Sequence, residues 1–484
     1  MRKAKIVCTI GPATNSPSIL SRLIENGMNA ARLNFSHGTH ESHAAAITAI
    51  REAAARHGTA VAIIQDLQGP RIRIGPVPVE GIPVKVGQAV RLRMVSDSSE
   101  ELVQEGGAHA LSSMPEIPVS YPALTRDLRV GSKVLINDGL IELQAVRVAD
   151  DLIDCSVLIG GTITSHKGIN LPGTTVSAPT VTDKDRTDIQ FAVEHAVDYV
   201  ALSFVRGAQD IQIVRRLLSE SGRAIPIIAK IERAEAMAAL GDILEQADGV
   251  MIARGDLGVE MGPEAVPVLQ KRIIVEANRR RRLVITATQM LESMTKATRP
   301  TRAEASDVAN AVFDGTDAVM LSAETAVGSY PVETVQVMDR IIRVAEEEVE
   351  PGVMRKRQTD LEDLSFPEAI CTAAASAAKS VAASAIVAFS ERGNTARLIS
   401  KQRPSASIIA LTPFEPVRQQ MTLYWGVLSY TVPQIEQTDA RVEEAERRLK
   451  REGLLKTGDK IVILSGTRVG QPGGTNLIKL HEVG

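Results

Sequence analysis

The chain has 484 residues, 44% of them hydrophobic and 23% charged, which is typical of a globular protein too large for a single core. A formal net charge of −3 gives no overall basic surface for nucleic acid. The three cysteines, Cys8, Cys155 and Cys371, are widely spaced, which excludes a disulfide framework or a zinc ribbon and indicates a reducing compartment. No segment is typical of a signal peptide or a membrane span, so we expect a cytoplasmic protein with no membrane or nucleic-acid partner.

Short apolar runs recur along the chain, and amphipathic stretches typical of helices separate most of them. Continuous apolar strands that alternate with helices predict parallel β-structure with helical crossovers. Eight such units predict a closed (β/α)8 barrel, and the pattern leaves a doubly wound open sheet as the alternative. The predicted strands are residues 5–11, 29–35, 61–67, 199–205, 225–231, 249–255, 283–289 and 318–324.

The stretch 70–170 interrupts the series after the third predicted strand. It is rich in Val, Gly, Pro and Asp, with the alternation and turn residues of a small β-barrel domain of largely antiparallel strands. An insertion after a barrel strand lies at the carboxyl end of the barrel, so we expect a lid over the active site. Gly69-Pro70 and residues 170–173 are the predicted hinges, and the barrel domain is predicted to comprise 1–69 and 171–345.

A third domain is predicted over residues 346–484. The acidic segment "AEEEVE" (345–350) and Pro351 mark its start. The strand patterns "AIVAF", "SIIAL" and "DKIVILSG" alternate with helical patterns and predict an α/β fold. The whole chain is therefore predicted to be an α/β protein with a barrel, an inserted lid and a C-terminal α/β domain.

Polar residues follow the predicted barrel strands, at the end where barrel enzymes carry their active sites. In "AKIE", Lys230 and Glu232 alternate along a strand and so face the same way. They form either a structural salt bridge or part of a site in which Glu232 and Asp256 hold Mg²⁺. The full set at the strand ends is Arg32, Asn34, Ser36, Asp66, Lys230, Glu232, Gly255, Asp256, Thr288, Ser322 and Glu324.

Carboxylates for a metal, a lysine and the arginines Arg32 and Arg73 on one face together indicate phosphoryl transfer, which depends on positioning and charge neutralisation. The glycines of "ARGDLGVE" (253–260) add backbone amides for an anion, although a plain turn fits this motif equally well. The sequence contains neither a Walker A loop nor a protein-kinase Gly-rich loop.

Together, these motifs closely resemble those of the pyruvate kinase family. The resemblance runs from residue 3 to the C-terminus and implies conversion of phosphoenolpyruvate and MgADP to pyruvate and ATP, the last step of glycolysis. It also implies a homotetramer. The motifs that carry it are "KIVCTIGPAT", "MNAARLNFSHG", "HKGINLPG", "AKIE", "MIARGDLGVE", "TATQMLESM" and "RPTRAEASDVANAVFDGTDAVMLSAETAVGSYP".

The resemblance implies a role for each matching residue. Lys230 matches the lysine that neutralises the phosphoryl group, and Glu232 and Asp256 match the ligands of Mg²⁺ (or Mn²⁺). The backbone of Gly255 and Asp256, with the Thr288 hydroxyl, matches the substrate carboxylate site, and protonation is expected near Thr288, Ser322 and Glu324. Phosphate and nucleotide contacts are expected from Arg32, Asn34, Ser36, Arg73 and Lys167. His37 is beside them and is either a residue of the nucleotide site or, as its position favours, a structural histidine.

The segment "DLQGPRIRI" (66–74) departs from the K⁺-dependent family pattern DTKGPEIRT. In those members an Asn, a Ser, an Asp and a Thr carbonyl hold K⁺, and here Asn34, Ser36 and Asp66 match but Leu67 replaces the Thr. The K⁺-independent branch carries a lysine where this chain has Arg71. We therefore expect Arg71 to act as a tethered cation beside Asp66 and the substrate phosphate, with K⁺ not required. An Arg71 that points to water from the hinge is the alternative.

In the C-terminal domain, "FSERGNTARLIS" (389–400) follows a strand and opens a helix, which predicts an anion-binding loop or a simple turn. By resemblance this is the site of a sugar-phosphate or nucleotide-monophosphate effector, with Ser390, Arg392, Gly393, Asn394 and Thr395 as its residues. The Gly-rich stretch 465–476 is expected to close over it. Two other functions remain open at this point: a barrel lyase or aldolase acting on pyruvate or oxaloacetate, and a phosphate-sensing scaffold without catalysis.

Overall fold

The fold is that of a computed structural model, which describes residues 2–95, 114–348, 364–466 and 474–484. Much of the predicted Gly-rich closing loop, residues 467–473, lies outside these ranges, as do the segments 96–113 and 349–363. The domain boundaries inferred from the sequence stay predictions, and the sheets described below fall within them.

Eight parallel strands form a closed barrel in the order β1-β16-β15-β14-β13-β12-β3-β2, so the predicted barrel is confirmed and the open-sheet alternative is wrong. Nearly every strand residue is buried, because one face packs into the barrel and the other under the helices. The first three strands are β1 (Lys5–Thr9), β2 (Met28–Asn34) and β3 (Ala62–Asp66), with helices α1 (Pro17–Glu25) and α2 (His40–Arg56) between them.

The inserted domain follows β3 and is built around a six-stranded sheet with the order β11-β7-β8-β9-β5-β6, in which only the β5–β6 pair is parallel. A two-stranded sheet pairs β10 with β4. The elements are β4 (Ile82–Val84), β5 (Ala89–Met94), β6 (Glu116–Val119), α3 (Leu124–Asp127), β7 (Lys133–Ile136), β8 (Ile141–Val148), β9 (Leu152–Ile159), β10 (Gly161–Ile163) and β11 (Ile169–Asn170).

The segment that carries the two hinge-side arginines joins the edges of this sheet. Arg73 pairs with Gly168, next to β11, while Ile74 pairs with Val119 of β6. The backbone of Ile74 also exchanges hydrogen bonds with Lys167 and His166. The sheet therefore closes toward a small barrel through residues 73–74, and Arg71 lies between that strand-like segment and Gly69, the predicted hinge.

The chain then returns to the barrel and completes it with five strands and their helices. Capping residues define several helix starts; for example, Thr301 and Glu304 form a capping box at the start of α10 (Arg302–Asp314), and Gly315, with φ 97°, caps its end. The elements are α4 (Asp183–Glu194), β12 (Tyr199–Leu202), α5 (Ala208–Glu220), β13 (Ile227–Ile231), α6 (Ala234–Ala238), α7 (Leu240–Gln246), β14 (Gly249–Ala253), α8 (Arg254–Met261), α9 (Val266–Arg279), β15 (Leu283–Ala287), a 3-10 helix (Glu292–Thr295), α10 (Arg302–Asp314), β16 (Ala318–Leu321), α11 (Ala323–Ala326) and α12 (Pro331–Glu348).

The C-terminal domain is a five-stranded sheet with the order β19-β18-β17-β20-β21, parallel except for the last strand. The three strands predicted from the sequence correspond to β17, β18 and β20. The elements are α13 (Phe366–Ser380), β17 (Ala385–Phe389), α14 (Asn394–Lys401), β18 (Ser407–Thr412), α15 (Glu415–Gln420), a 3-10 helix (Met421–Leu423), β19 (Val427–Thr431), α16 (Thr438–Arg451), β20 (Lys460–Gly466) and β21 (Thr475–Glu482).

This C-terminal domain closes the amino end of the barrel. Leu423 is fully buried in the apolar cluster that fills the barrel interior, and the Tyr199 hydroxyl donates to the Gln420 carbonyl at 2.9 Å. Asp317, just before β16, pairs with Lys401 at 2.5 Å and with Arg403 at 2.7 Å, all three nearly inaccessible to water. The open end of the barrel is thus the carboxyl end, beneath the lid domain.

The three cysteines are buried free thiols, one in each of three separate hydrophobic cores. Burial raises the pKa of all three. Within the described ranges, no helix has both the length and the apolar character needed to span a membrane.

Candidate active site

A polar cavity of about 100 Å³ lies at the carboxyl end of the barrel strands. It brings together nine of the residues predicted from the strand ends and the hinge, with the apolar Met251 and Met320 at its floor. Its wall consists of Arg32, Asn34, Ser36, Asp66, Gln68, Arg71, Ser203, Phe204, Lys230, Glu232, Met251, Ala253, Asp256, Thr288 and Met320.

Lys230, near the end of β13, is the central cation of this cavity. Its Nζ lies 2.9 Å from Glu232 Oε1 and 3.3 Å from Asp66 Oδ1, and it donates to Ser203 Oγ at 2.7 Å. Burial disfavours the charged form, but Asp66 and Glu232 outweigh burial and raise the pKa of Lys230. The ammonium group is therefore held charged, and the predicted alternation of "AKIE" toward one face is confirmed.

Arg32 and Asp66 form a second buried ion pair, across β2 and β3. Arg32 donates from Nε at 2.7 Å and lies 2.6 Å from the same carboxylate through its second nitrogen. Asp66 is 1% exposed, and burial alone would raise its pKa, but the charges of Lys230 and Arg32 hold the pKa below its usual value. Asp66 thus orients two cations toward the cavity.

Glu232 and Asp256 provide the carboxylates of the predicted metal site. Glu232 accepts from the backbone N–H of Phe204 at 2.6 Å, whereas the carboxylate of Asp256 has no hydrogen bond or ion pair with any described residue. Burial, followed by the negative charge of Glu232, raises the pKa of Asp256 to about 6. Two carboxylates with one uncompensated charge fit a divalent cation such as Mg²⁺, which takes one or two protein carboxylates along with substrate oxygens.

Thr288, directly after β15, has an unusual backbone conformation. Its φ is 67° and that of Gln289 is 53°, so a β-branched residue adopts the left-handed conformation that costs roughly 1–3 kcal/mol. The Thr288 hydroxyl accepts from the Gly255 amide at 2.9 Å and donates to the Ala287 carbonyl at 2.6 Å. The strain turns this hydroxyl toward the cavity, beside the amino end of α8.

Arg71 lines the cavity but does not pair with Asp66, which corrects the geometry inferred from the sequence. Its ion pair is with Asp138 of the lid domain, at 3.7 Å, and its side chain packs against Gly168. The cations beside Asp66 are Arg32 and Lys230 instead. The difference arises because residues 73–74 join the lid sheet and carry Arg71 toward the lid side of the cavity.

The other predicted phosphate and nucleotide residues border the cavity or its mouth. Asn34 Oδ1 accepts from the Ser36 amide at 3.2 Å, so these two residues also order one loop. Partial burial, and then the charges of Arg73, Arg71 and Arg32, lower the pKa of His37. Arg73 donates to the His166 carbonyl at 3.0 Å, and Lys167 is exposed on the lid next to it. The mouth is therefore strongly cationic.

Three residues predicted near the substrate, Gly255, Ser322 and Glu324, lie outside the lining of this cavity. Glu324 is fully buried, and its carboxylate accepts from the backbone amides of Ser322 at 2.6 Å and Leu291 at 3.1 Å. Both carboxylate oxygens therefore order the turns after β15 and β16, and the place of Glu324 near the substrate stays a prediction. The buried Ser322 Oγ has no hydrogen-bond partner among the described residues.

The predicted effector residues surround a smaller cavity of about 80 Å³ in the C-terminal domain. Ser390, Arg392, Asn394 and Thr395 line it, while Gly393, with φ 77°, precedes α14 and packs on Tyr424 instead. Arg441 from α16 completes the wall, stacks over Phe389 and donates to the Gly466 carbonyl at 3.0 Å.

Three important residues near the active site were missed from the sequence. Ser203 Oγ accepts a hydrogen bond from Lys230 and donates to the Leu67 carbonyl at 2.7 Å, and Phe204, with φ 55°, directs its amide at Glu232. Both follow β12, so the strand-end rule should have found them. The third, Arg254, adjoins Gly255 in the "ARGD" motif.

Comparisons with known proteins agree with this geometry. A model of the pyruvate kinase barrel domain matches residues 1–335, and a model of the pyruvate kinase alpha/beta domain matches residues 368–481. Pyruvate kinase of Geobacillus stearothermophilus is 45% identical across all of this chain, which spans 80% of that protein. Pyruvate kinase of Clostridium perfringens is 42% identical, with both chains fully covered.

A crystal structure of a pyruvate kinase from Cryptosporidium parvum is similar over the whole of this chain and 96% of the other, with a TM-score of 0.91 and 40% sequence identity. The relatives cover the whole chain, and the two domain models cover residues 1–335 and 368–481. The chain is an enzyme and belongs to the pyruvate kinase family.

Proposed function

We propose that this chain transfers the phosphoryl group of phosphoenolpyruvate to ADP, giving pyruvate and ATP. The observation that carries the proposal is the convergence of Lys230, Arg32, Glu232, Asp256 and Thr288 on one cavity at the open end of the barrel. Phosphoryl transfer needs positioned cations around a group that stays negative throughout, rather than a covalent nucleophile. The relatives carry the name of this activity.

We assign Lys230 to neutralise the phosphoryl group during its transfer. Its charge is held by Asp66 and Glu232 in a site with little water, where a fixed ammonium stabilises a developing negative charge more strongly than in bulk solvent. Arg32 contributes a second cation with a planar fork that matches phosphate oxygens. Asp66 keeps both side chains oriented before substrate arrives.

Glu232 and Asp256 are the residues that would hold Mg²⁺ or Mn²⁺. When bound, the ion supplies charge neutralisation to the substrate oxygens. The unpaired carboxylate of Asp256 supports this assignment, because its charge otherwise lacks a partner in the described structure. The Phe204 amide keeps Glu232 fixed in its half of the site.

The substrate carboxylate is assigned to the start of α8. The first four amides of a helix have no partner within it, so the amides of Gly255 and Asp256 are suited to an anion. The Thr288 hydroxyl, now bonded to the Gly255 amide, is close enough to share that anion and to assist protonation of the enolate. The left-handed backbone at Thr288 supports a functional role.

The nucleotide is assigned to the cationic mouth formed by Asn34, Ser36, His37, Arg73 and Lys167. Arg73 and Lys167 belong to the segments that join the lid sheet, so a hinge movement at Gly69 brings them over bound phosphates. Gly69 has φ 68°, and a side chain there would meet Phe204 at 2.9 Å. The hinge therefore requires glycine.

Arg71 supports activity without K⁺. Its guanidinium is on the cavity wall, and its charge counteracts the rise in the pKa of Asp256, so it already acts on the charges around the substrate. It supplies the cation from the lid side, paired with Asp138, rather than from the Asn34, Ser36 and Asp66 side. Closing the lid brings this charge to the substrate phosphate.

The regulatory and assembly roles follow the family resemblance. The cavity at Ser390, Arg392, Asn394 and Thr395 is proposed to bind a sugar phosphate or nucleotide monophosphate that activates the enzyme, and Arg441 extends its cationic wall. We propose a homotetramer that works in glycolysis in the cytoplasm. Changes at the C-terminal cavity would then pass through subunit contacts.

The test is ATP formation from phosphoenolpyruvate and ADP by the purified protein, with Mg²⁺ or EDTA, in buffer without K⁺ and then with it. We expect ATP with Mg²⁺ in both buffers and none with EDTA. Pyruvate release without ATP would point to the lyase alternative. Strong stimulation by K⁺ would keep the kinase but contradict the role of Arg71. Addition of ribose 5-phosphate, fructose 1,6-bisphosphate or AMP tests the effector site.

A further inference from the structure

Arg254, the first residue of α8, has an environment that the catalytic site alone does not explain. It is only 6% exposed, and it is absent from the lining of the catalytic cavity. Burying a guanidinium is costly unless all of its donors are used, so the contacts it makes indicate what the fold uses it for.

Those contacts converge on the strained turn after β15. Nη2 of Arg254 donates to the Thr288 carbonyl at 2.6 Å, and Nε donates to the Thr288 and Ala287 carbonyls at 3.3 and 3.2 Å. Nη2 also approaches Met290 Sδ at 2.7 Å. The planar guanidinium group therefore donates hydrogen bonds to the carbonyls on either side of the Thr288 Cα.

The remaining nitrogen of the guanidinium group, Nη1, contacts two helices behind the turn. Nη1 lies 2.7 Å from the carboxylate of Asp307 on α10 and donates to Gln270 Oε1 on α9 at 3.2 Å. One guanidinium thus fastens the end of β15 to α9 and α10. A lysine has a single point of charge and cannot make this set of contacts at once.

We infer that Arg254 is a positioning residue that holds Thr288 in its left-handed conformation and so aims its hydroxyl at the substrate. Left-handed backbone at a β-branched residue persists only where the surroundings enforce it. Arg254 enforces it through the backbone carbonyl, while its neighbour Gly255 holds the hydroxyl through its amide at 2.9 Å. The inference deepens the proposed function and rests on the assignment of Thr288 to the substrate.

The chain offers a closely matched control in Arg2. This arginine is also buried, and it binds the same three types of partner: the Gly27 carbonyl at 2.6 Å, the Asn29 amide oxygen at 2.7 Å and the Asp339 carboxylate at 3.2 Å. It lies at the amino end of the barrel, next to the start of β2. Arg2→Lys therefore reports the general cost of shortening a buried guanidinium.

The experiment compares Arg254→Lys with Arg2→Lys in the full chain by kinetics, thermal unfolding and crystallography. Because small misplacement of a catalytic group costs up to about 100-fold, we expect Arg254→Lys to lower kcat by roughly 10- to 100-fold. We expect KM for ADP to stay within threefold, Tm to fall no further than in Arg2→Lys, and the φ of Thr288 to leave the left-handed region. Arg2→Lys should keep kcat within twofold.

A kcat within twofold of wild type in Arg254→Lys, or an unchanged φ at Thr288, overturns the inference. An equal loss of kcat in Arg2→Lys also overturns it, because the effect would then be one of stability. If Arg254→Lys does not fold, Asp307→Asn replaces it and is expected to lower kcat about fivefold. An unchanged kcat in Asp307→Asn would contradict the role of Asp307 in holding Arg254 in place. If the wild type forms no ATP, the proposed function fails, while the φ of Thr288 still tests Arg254.

Discussion

The two ends of the barrel contain the same kinds of charged residue but use them in opposite ways. At the amino end, Asp317 pairs with Lys401 and Arg403 and accepts from the Val284 amide, so both of its carboxylate oxygens have partners within the fold. At the carboxyl end, Lys230, Glu232 and Asp256 face a cavity, and Asp256 has no partner among the described residues.

Residues with left-handed backbone occur at both ends of the barrel, and Ala196 and Arg281, with φ of 51° and 58°, precede β12 and β15 at the amino end. Thr288 and Phe204, with φ of 67° and 55°, both lie at the carboxyl end and support the site. At the amino end, Leu423 packs into the apolar cluster of the barrel interior, and the charged side chains pair with one another. The difference in charge pairing indicates that the amino end stabilises the protein, while the carboxyl end gives up stability to keep charged groups available for substrate.

The largest expected effect comes from removing the uncompensated charge with Asp256→Asn. We expect kcat to fall by about 10³-fold, because a metal ligand is lost, and the Mg²⁺ concentration for half-maximal activity to rise. Tm in metal-free buffer should stay the same or increase, because a buried unpaired charge is removed. A Tm lowered by several degrees would contradict the proposed division between the two ends.

Asp317→Asn tests the amino end. Two buried cations would lose their carboxylate, so we expect a loss of about 3–5 kcal/mol in the free energy of unfolding, measured by chemical denaturation. Below the transition, kcat should stay within twofold of wild type. The control is Asp150→Asn, at an exposed position of the lid, where we expect no change in either quantity.

Lys5 should make the stability of the amino end depend on pH. Burial, and then the charge of Arg2, lower the pKa of Lys5 to about 7, while its Nζ donates to the Val427 carbonyl at 2.7 Å. The native state therefore loses this proton at a lower pH than the unfolded chain, so stability rises with pH above about 7.

Between pH 7 and pH 9 we expect this group to contribute roughly 2 kcal/mol, seen as a rise in Tm that Lys5→Met abolishes. Lys460→Met, at an exposed position of β20, serves as the control and should keep the wild-type pH profile. Identical pH profiles in wild type and Lys5→Met would show that the Lys5 proton plays no part.

The smallest expected effect concerns Arg71 and sharpens the role of the lid. Arg71→Gln should lower kcat in K⁺-free buffer about tenfold, and added K⁺ should restore part of the loss, because a free cation replaces the missing charge. Arg147→Gln, on the exposed surface of the lid, should leave kcat unchanged. Equal activity of Arg71→Gln and wild type without K⁺ would contradict the role of Arg71 as a cation and indicate that it is only a residue of the hinge.

Most of the fold could be predicted from the sequence, because buried parallel strands leave unbroken apolar runs. All eight barrel strands lie within the predicted ranges or begin one residue before them, as Met28 does for β2. The rule that sites lie at strand ends then found Lys230, Glu232, Asp256 and Thr288, since it needs only the order of strand and loop.

What the sequence could not provide was the direction of side chains beyond the strand ends. Glu324 follows β16 as Glu232 follows β13, yet it turns inward onto two backbone amides. The partner of Arg71 depends on residues 73–74 pairing with both edges of the lid sheet, a long-range register that local pattern does not encode. The left-handed backbone at Phe204 and Thr288 opposes their intrinsic preference, so no propensity indicates it.

The most direct test of the account compares Lys230→Met with Lys401→Met, since both lysines are largely buried and bind carboxylates at opposite ends of the same barrel. The measurement is kcat for ATP formation, taken below the unfolding transition of each variant. We predict a loss of about 10³-fold for Lys230→Met and a kcat within threefold of wild type for Lys401→Met. Substantial turnover by Lys230→Met, or an equal loss in both variants, would contradict the assignment of catalysis to the carboxyl end.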